Sequence, residues 1–267
     1  MLALRERSPA LLSGHVKPNQ RHGYELDPNS RLGRGLVSLT MMEGGQQIGG
    51  FRDVAAPGRV LTVNGTAYNR ANSPFGGSTA AGASNSYIAP SPLLAFTTAF
   101  TVSARVLIFT GGTNQFQSWG NQGAVATLAT LYFDRTANVY GCDVASATIT
   151  PPTVWHRVTV TVDSVANVSQ FYIDGRPNGG AGTASAWSGN VDQIMGDTNN
   201  GVVSPTVDLF YWSRALSAAE VAMHSAAPYA SVLRPRYAGL NRTGLSAVVA
   251  RTPYNFAAQN MQPILVQ

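Results

Sequence analysis

Hydrophobic and polar residues alternate along much of this chain, the spacing of strands whose two faces meet different surroundings. Phe100-Thr-Val-Ser-Ala-Arg-Val-Leu-Ile-Phe109 alternates over most of its length and places Phe100, Val102, Ala104, Val106 and Ile108 on one face. Trp155-His-Arg-Val-Thr-Val-Thr-Val-Asp163 does the same for Val158, Val160 and Val162. Val168-Ser-Gln-Phe-Tyr-Ile173 predicts a strand that runs into Asp174-Gly175, a turn signal, and Val207-Asp-Leu-Phe-Tyr-Trp212 predicts a late strand. Earlier, Gly35 to Met42 predicts a first strand, Phe51 to Val54 a short element, and Ala56-Pro57-Gly58 a turn. Val60 to Val63 runs into Asn64-Gly65, a hairpin signal because both residues tolerate positive φ. The small, polar residues 71–86 predict a long surface loop, and two further strands are expected over Ala124 to Phe133 and Ala137 to Val144. One segment switches to a helical signature. Ser217-Ala-Ala-Glu220 is a capping box, Val221, Met223 and His224 continue it, and Pro228 bounds it.

Both ends of the chain lack this periodicity. Residues 1–34 carry Pro9, Pro18 and Pro28, and residues 228–267 carry Pro235, Pro253 and Pro263. Neither segment can bury enough apolar area alone to offset an ordering entropy of roughly 1–2 kcal/mol per residue. The expected organisation is an extended arm at 1–34, a β-sandwich at 35–227 and a second arm at 228–267.

Composition agrees with an all-β chain, with 27 glycines and 15 prolines among 267 residues. Only 12% of residues are charged, against roughly 25% in ordinary soluble proteins, which points to surface covered by neighbours in an assembly. The net charge of +5 rests on arginine, since Lys17 is the only lysine, and arginine suits subunit interfaces. The basic residues are spread through the arms without a dense run or a recognition motif, which argues against a nucleic-acid partner. Cys142 stands alone, so an intrachain disulfide is excluded. No apolar run reaches the roughly 20 residues of a membrane span, and the first residues do not read as a signal peptide. The expectation is synthesis in a host cytoplasm and no membrane partner.

Several of these pieces, in this order, resemble the laminin-G-like, concanavalin A-like jelly-roll family in its tailed-bacteriophage form. Asn29-Ser-Arg-Leu-Gly-Arg-Gly-Leu-Val-Ser-Leu39 resembles the opening segment of phage members, and Phe100-Thr-Val-Ser-Ala-Arg-Val106 resembles a family strand. Trp155 to Asp163 followed by Phe171-Tyr-Ile-Asp-Gly175 resembles the family hairpin. Val207-Asp-Leu-Phe-Tyr-Trp-Ser-Arg-Ala-Leu-Ser-Ala-Ala-Glu-Val221 resembles its closing strand and helix. The resemblance covers about residues 29–230 and implies a two-sheet antiparallel jelly-roll sandwich with one short C-terminal helix. In that fold Trp155 would anchor the core at a strand start, and Leu216 would pack the start of the helix onto the sandwich.

Chemistry is sparse. Glycosidases of this general architecture need paired carboxylates flanking the sugar bond, and the "E-x-D-x-x-E" strand that the resemblance would imply is missing. Of the 13 carboxylates only Glu25 and Asp27 lie two apart, in the arm. His15, His22, His156 and His224 are scattered, without a zinc spacing or a nucleophile elbow nearby. No catalytic residue and no cofactor is expected. The resemblance implies a rim calcium site for which Asp53 and Asp208 are the matching positions, although Ala55-Ala-Pro-Gly-Arg59 replaces the family's glycine–asparagine loop and Leu209 stands where an acid is usual. The alternative is that Asp53 caps a turn and Asp208 accepts an internal hydrogen bond. Trp119 and Trp187 fall in Gly-, Ser- and Asn-rich stretches and are candidates for a glycan platform or a protein interface.

The reading that combines these features is a non-enzymatic virion structural protein. It would decorate the capsid surface, with the sandwich facing outward and the arms on the major capsid protein or on other copies in a homo-oligomer. The alternatives are a neck or tail accessory protein, or an adhesin that binds host-surface glycan through loop aromatics.

Overall fold

The structure is a computed structural model of the chain. It describes residues 24–42, 51–65, 69–71, 73–75, 78–80, 87–95, 98–107, 119–120, 132–134, 139–142, 145–148, 154–182, 190–191, 193–194, 205–229 and 233–235.

In chain order the strands are β1 (Tyr24–Leu26), β2 (Leu36–Met41), β3 (Arg52–Asp53), β4 (Val60–Asn64), β5 (Asn69–Ala71), β6 (Ser78–Ala80) and β7 (Tyr87–Ser91). There follow β8 (Leu94–Ala95), β9 (Ala99–Leu107), β10 (Trp119–Gly120), β11 (Tyr132–Asp134), β12 (Val139–Cys142) and β13 (Ala145–Thr148). The last group is β14 (Trp155–Asp163), β15 (Val168–Ile173), β16 (Arg176–Pro177), β17 (Asn190–Val191), β18 (Gln193–Ile194), β19 (Thr206–Trp212) and β20 (Leu233–Pro235). The helix α1 (Ala218–Ala226) lies between β19 and β20. A large antiparallel sheet runs in the order β16-β15-β14-β9-β19-β2-β3, with β6 and then β5 attached to β19. A second sheet has the order β10-β18-β7-β4. Among the described residues the expected antiparallel sandwich with one short helix is present.

Alternation decides which face of the large sheet is dry. Phe100, Val102, Ala104 and Val106 of β9 lie beside Val158, Val160 and Val162 of β14, in unbroken register from Trp155↔Leu107 to Asp163↔Ala99. They pack with Phe171, Leu209 and Tyr211 against Leu61, Ile88 and Ile194 of the second sheet. The inner face is therefore the one the hydrophobic period marks; Ile108 lies outside the described residues. Trp155 is not part of this core. It has the parity of Arg157 and Thr159, so it falls on the outer face, half-buried and edge-on to Phe75 at 5.9 Å.

The outer face carries a second cluster. Leu39 and Met41 of β2, Tyr172 of β15, and Phe210 and Trp212 of β19 are covered by Leu32, Leu216, Val221 and Tyr229. The Trp212 Nε1–H donates to the Leu32 carbonyl at 2.6 Å. Leu216 packs the start of α1 as expected, and the capping box forms: Ser217 Oγ accepts from the Glu220 N–H, and Glu220 accepts from the Ser217 N–H at 2.9 Å. Leu32 and Tyr229 lie in the segments the sequence reads as arms, and both are buried here. β1 pairs with β20 through Tyr24↔Pro235, Glu25↔Arg234 and Leu26↔Leu233, so the first and last described strands form one ribbon.

Turn signals fare unequally. Asp174 (φ 49°) and Gly175 (φ 81°) make the tight turn after β15. A Cβ on Gly175 would stand 2.9 Å from Ser225 Cβ of α1, so this position needs glycine for space as well as for φ. Asn64-Gly65 does not close a hairpin with the next strand. Gly65 takes φ 83°, but β4 pairs with β7 from Val60↔Ser91 to Asn64↔Tyr87. That pairing buries Leu61 next to Ile88 in the inner core, and burial outweighs the local turn signal. Residues 71–86 are not loop throughout either, since β6 pairs with β5 and meets β19 at Thr206↔Thr79.

Candidate functional site

Ser103 and Arg105 of β9, Arg157 and Thr159 of β14, and Asp208 of β19 share the outer face, part of which α1 and Tyr229 cover. Arg105 of β9 stands in register with Arg157 of β14 on one side and Asp208 of β19 on the other. Arg157 holds Asp208 by both terminal guanidinium nitrogens, Nη1 to Oδ1 and Nη2 to Oδ2, the latter at 2.9 Å. The Tyr229 hydroxyl donates to the same Oδ2. Asp208 is fully buried and Arg157 is 1% exposed. Burial opposes ionisation of Asp208, but the Arg157 charge and the hydrogen bonds from Arg157 and Tyr229 outweigh it and hold the carboxyl below its usual range. Burial, reinforced by the adjacent Asp208 charge, pushes the Tyr229 hydroxyl well above its ordinary value.

His224 of α1 completes the network. Its Nε2 lies 3.1 Å from Ser103 Oγ, and its ring stands edge-on to Phe210 at 4.6 Å and Trp212 at 5.0 Å. Burial, with the positive charge of Arg157 added, drives its pKa well below the ordinary histidine value, so it is neutral at pH 7. Thr159 Oγ1 donates to Ser103 Oγ at 2.8 Å. Arg105 lies at the rim of this group with its guanidinium 4.4 Å from the Phe75 ring centroid.

The two candidate calcium positions sit apart. Asp53 is opposite Thr40 and Asp208 is opposite Met41, consecutive residues of β2, so the two carboxylates lie on opposite faces of the large sheet. Asp53 Oδ1 accepts from the backbone N–H groups of Leu39, Ala55 and Ala56 at 3.0–3.1 Å. Its Oδ2 accepts from Ser38 Oγ at 2.6 Å and from Arg59. The Arg59 guanidinium also donates to the carbonyls of Val37 at 2.9 Å and Pro92 at 3.1 Å. A cation thus already stands among these oxygens, and it is a side chain. This donor set does not fit calcium: N–H and O–H donors take both Asp53 oxygens, and Asp208 faces Arg157. Among the described residues no group of three or more His, Cys, Asp or Glu side chains is placed to hold a metal.

Trp119 lies in β10, the edge strand of the second sheet, opposite Ile194, rather than in a loop. Trp187 lies outside the described residues. The six described carboxyl side chains all accept hydrogen bonds from the protein. Asp27 and Asp163 cap turns, Asp174 takes His156 Nδ1 at 2.7 Å and the Arg157 N–H at 2.8 Å, and Glu220 takes Arg214 and Ser217. Glu220 is held at about 2, because hydrogen bonds from Arg214 and Ser217 outweigh the effect of burial. The sequence allowed an internal hydrogen bond to Asp208 but not its donors, because an arginine in an alternating strand reads as solvent-facing. The buried Tyr229 stands just past Pro228, where the pattern ends.

A sandwich of this topology, closed by a capped helix after its last long strand, is matched by one family model. That model, described as the concanavalin A-like lectin/glucanases superfamily in its laminin G form, covers residues 81–222, just over half of the chain. The chain belongs to this family. Among solved structures, this laminin G-type domain is similar to a Trypanosoma rangeli sialidase mutant displaying trans-sialidase activity, with a TM-score of 0.50 and 15% identity over 73% of this chain and 33% of that one. It is also similar to the binding domain of the Paraclostridial Mosquitocidal Protein 1, with a TM-score of 0.56 and 15% identity over 72% of this chain and 52% of that one. The laminin G-type chain therefore spans about a third of the sialidase and half of the binding domain, and at these identities the likeness is one of fold. No curated protein matches it in sequence. Among the described residues no helix is long and apolar enough to cross a membrane.

Proposed function

We propose that this laminin G-type domain is a non-catalytic display module, a structural component of a phage particle whose sandwich faces outward. The terminal parts of the arms expected at 1–34 and 228–267, residues 1–23 and 236–267, would contact the major capsid protein, other virion proteins or neighbouring copies. The observation that carries this reading is the β1–β20 ribbon, where Tyr24 meets Pro235. That ribbon brings the first and last described strands side by side, which suits attachment through one place. The low charge fraction and the phage-type opening segment support it. The absence of catalysis is supported by the six described carboxylates, each of which accepts structural hydrogen bonds instead of standing ready as an acid or base. Deleting residues 1–23 and 236–267 should leave a folded domain that no longer joins particles. Normal incorporation of that truncated chain would contradict the attachment.

A second reading, glycan recognition on the same scaffold, is favoured by the matching family, whose description names lectins. Replacing Trp119 and Trp187 by Ala tests the aromatic platform within that reading. Many weak sites on one particle would act through avidity.

A further inference from the structure

One buried cation lacks a counter-charge of its own. Arg105 is 8% exposed and stands between Arg157 and Asp208 at one level of the large sheet. Asp208 accepts two hydrogen bonds from Arg157 and one from the Tyr229 hydroxyl, and Arg157 with Asp208 is neutral as a pair. The other carboxylate nearby, Asp174, is taken by His156 Nδ1 and the Arg157 N–H. Among the described residues no hydrogen bond or ion pair reaches the Arg105 guanidinium, and only the Phe75 ring meets it. Burying an unpaired cation is unfavourable, and burial beside Arg157 weakens its hold on its proton. A ring on the flat face of a guanidinium leaves the edge N–H groups free, and those take a carboxylate by two parallel hydrogen bonds. Phe75 meets the half-buried Trp155 at an interplanar angle of 80°, so the ring that faces the cation has a second aromatic ring beside it. Aromatic walls suit the apolar face of a sugar ring, where a simple anion would have no use for them.

We propose that Arg105 is the anion-recognition residue of a binding site for a carboxylate-bearing sugar, with Phe75 and Trp155 as its aromatic wall. The proposal rests on the glycan-recognition reading and names its ligand class. Isothermal titration of the full chain with trigalacturonic acid and sialyllactose, alongside neutral galactotriose and lactose, tests it. At least one acidic probe should bind ten-fold or more tightly than its neutral counterpart. Arg105→Met should remove that preference, Arg105→Lys should keep part of it, and Trp155→Ala should weaken binding of the same probe. Circular dichroism confirms that each variant folds; if Arg105→Met does not fold, the lysine and Trp155 variants carry the test. Acidic sugars bound no better than neutral ones, or equally well by folded Arg105→Met, would overturn the role of Arg105 while leaving glycan recognition standing. No binding of any of the four sugars would overturn both.

Discussion

At the scale of single residues, the structure depends on charges that have been moved out of water and paired. Asp208 accepts from Arg157 twice and from Tyr229 once, all inside the layer beneath α1. Breaking a buried pair by removing one partner leaves the other unpaired and costs about 3–5 kcal/mol. Asp208→Asn should therefore lower unfolding free energy by about that amount in urea titration, and a loss below about 1 kcal/mol would mean that the cluster is not closed from water. His224 gives the same layer a pH response. It is neutral in the fold, with a pKa depressed first by burial, while an unfolded histidine takes up its proton near 6.5. The unfolded chain then binds more protons as pH falls, so stability is complete above about pH 6.5 and declines below it by up to about 1.4 kcal/mol per pH unit. His224→Phe should flatten the decline between pH 6.5 and 5. Asp208 has a depressed carboxyl pKa, so its contribution is lost only as pH falls below about 4, and the two windows separate. An unchanged slope in the phenylalanine variant would show that His224 titrates normally.

At the scale of elements, the features legible in the sequence were those that local spacing controls. The parity of β9 and β14 fixes their inner faces, the capping box starts α1, and Asp174-Gly175 turns the chain. The features that were not legible depend on partners far away along the chain. Asn64-Gly65 has hairpin chemistry, yet β4 pairs with β7 because Leu61 has to reach the inner core. Trp155 has the size of a core anchor, but its parity is that of Arg157. The same applies to the candidate sites. Asp53 and Asp208 were identifiable as positions, but the side chains that occupy them, Arg59 and Arg157, are chosen by the fold. Arg59 ties β2, β3 and the segment after β7 together through Val37, Asp53 and Pro92. Arg59→Ala should lower the melting temperature by several degrees, and EDTA should leave that of the unaltered protein unchanged. A melting temperature that falls in EDTA and returns with calcium would contradict the assignment of the guanidinium as the resident cation.

At the scale of the whole molecule, the inner core makes the sandwich, and the outer cluster fastens the helix and the two chain leads to it. Leu32 and Tyr229 bring those leads onto the outer face, and β1–β20 joins them beyond it. A module fastened at one ribbon can be carried by a large assembly without distortion of either sheet, as the proposed place on a particle surface requires. The direct measurement is quantitative mass spectrometry of purified phage particles from the source of the sequence, with copies of this chain counted against the major capsid protein. A virion component should be present at a fixed stoichiometry: hundreds of copies for a shell decoration, or about a dozen for a neck or tail fitting. Absence of the chain from intact particles would contradict the virion role.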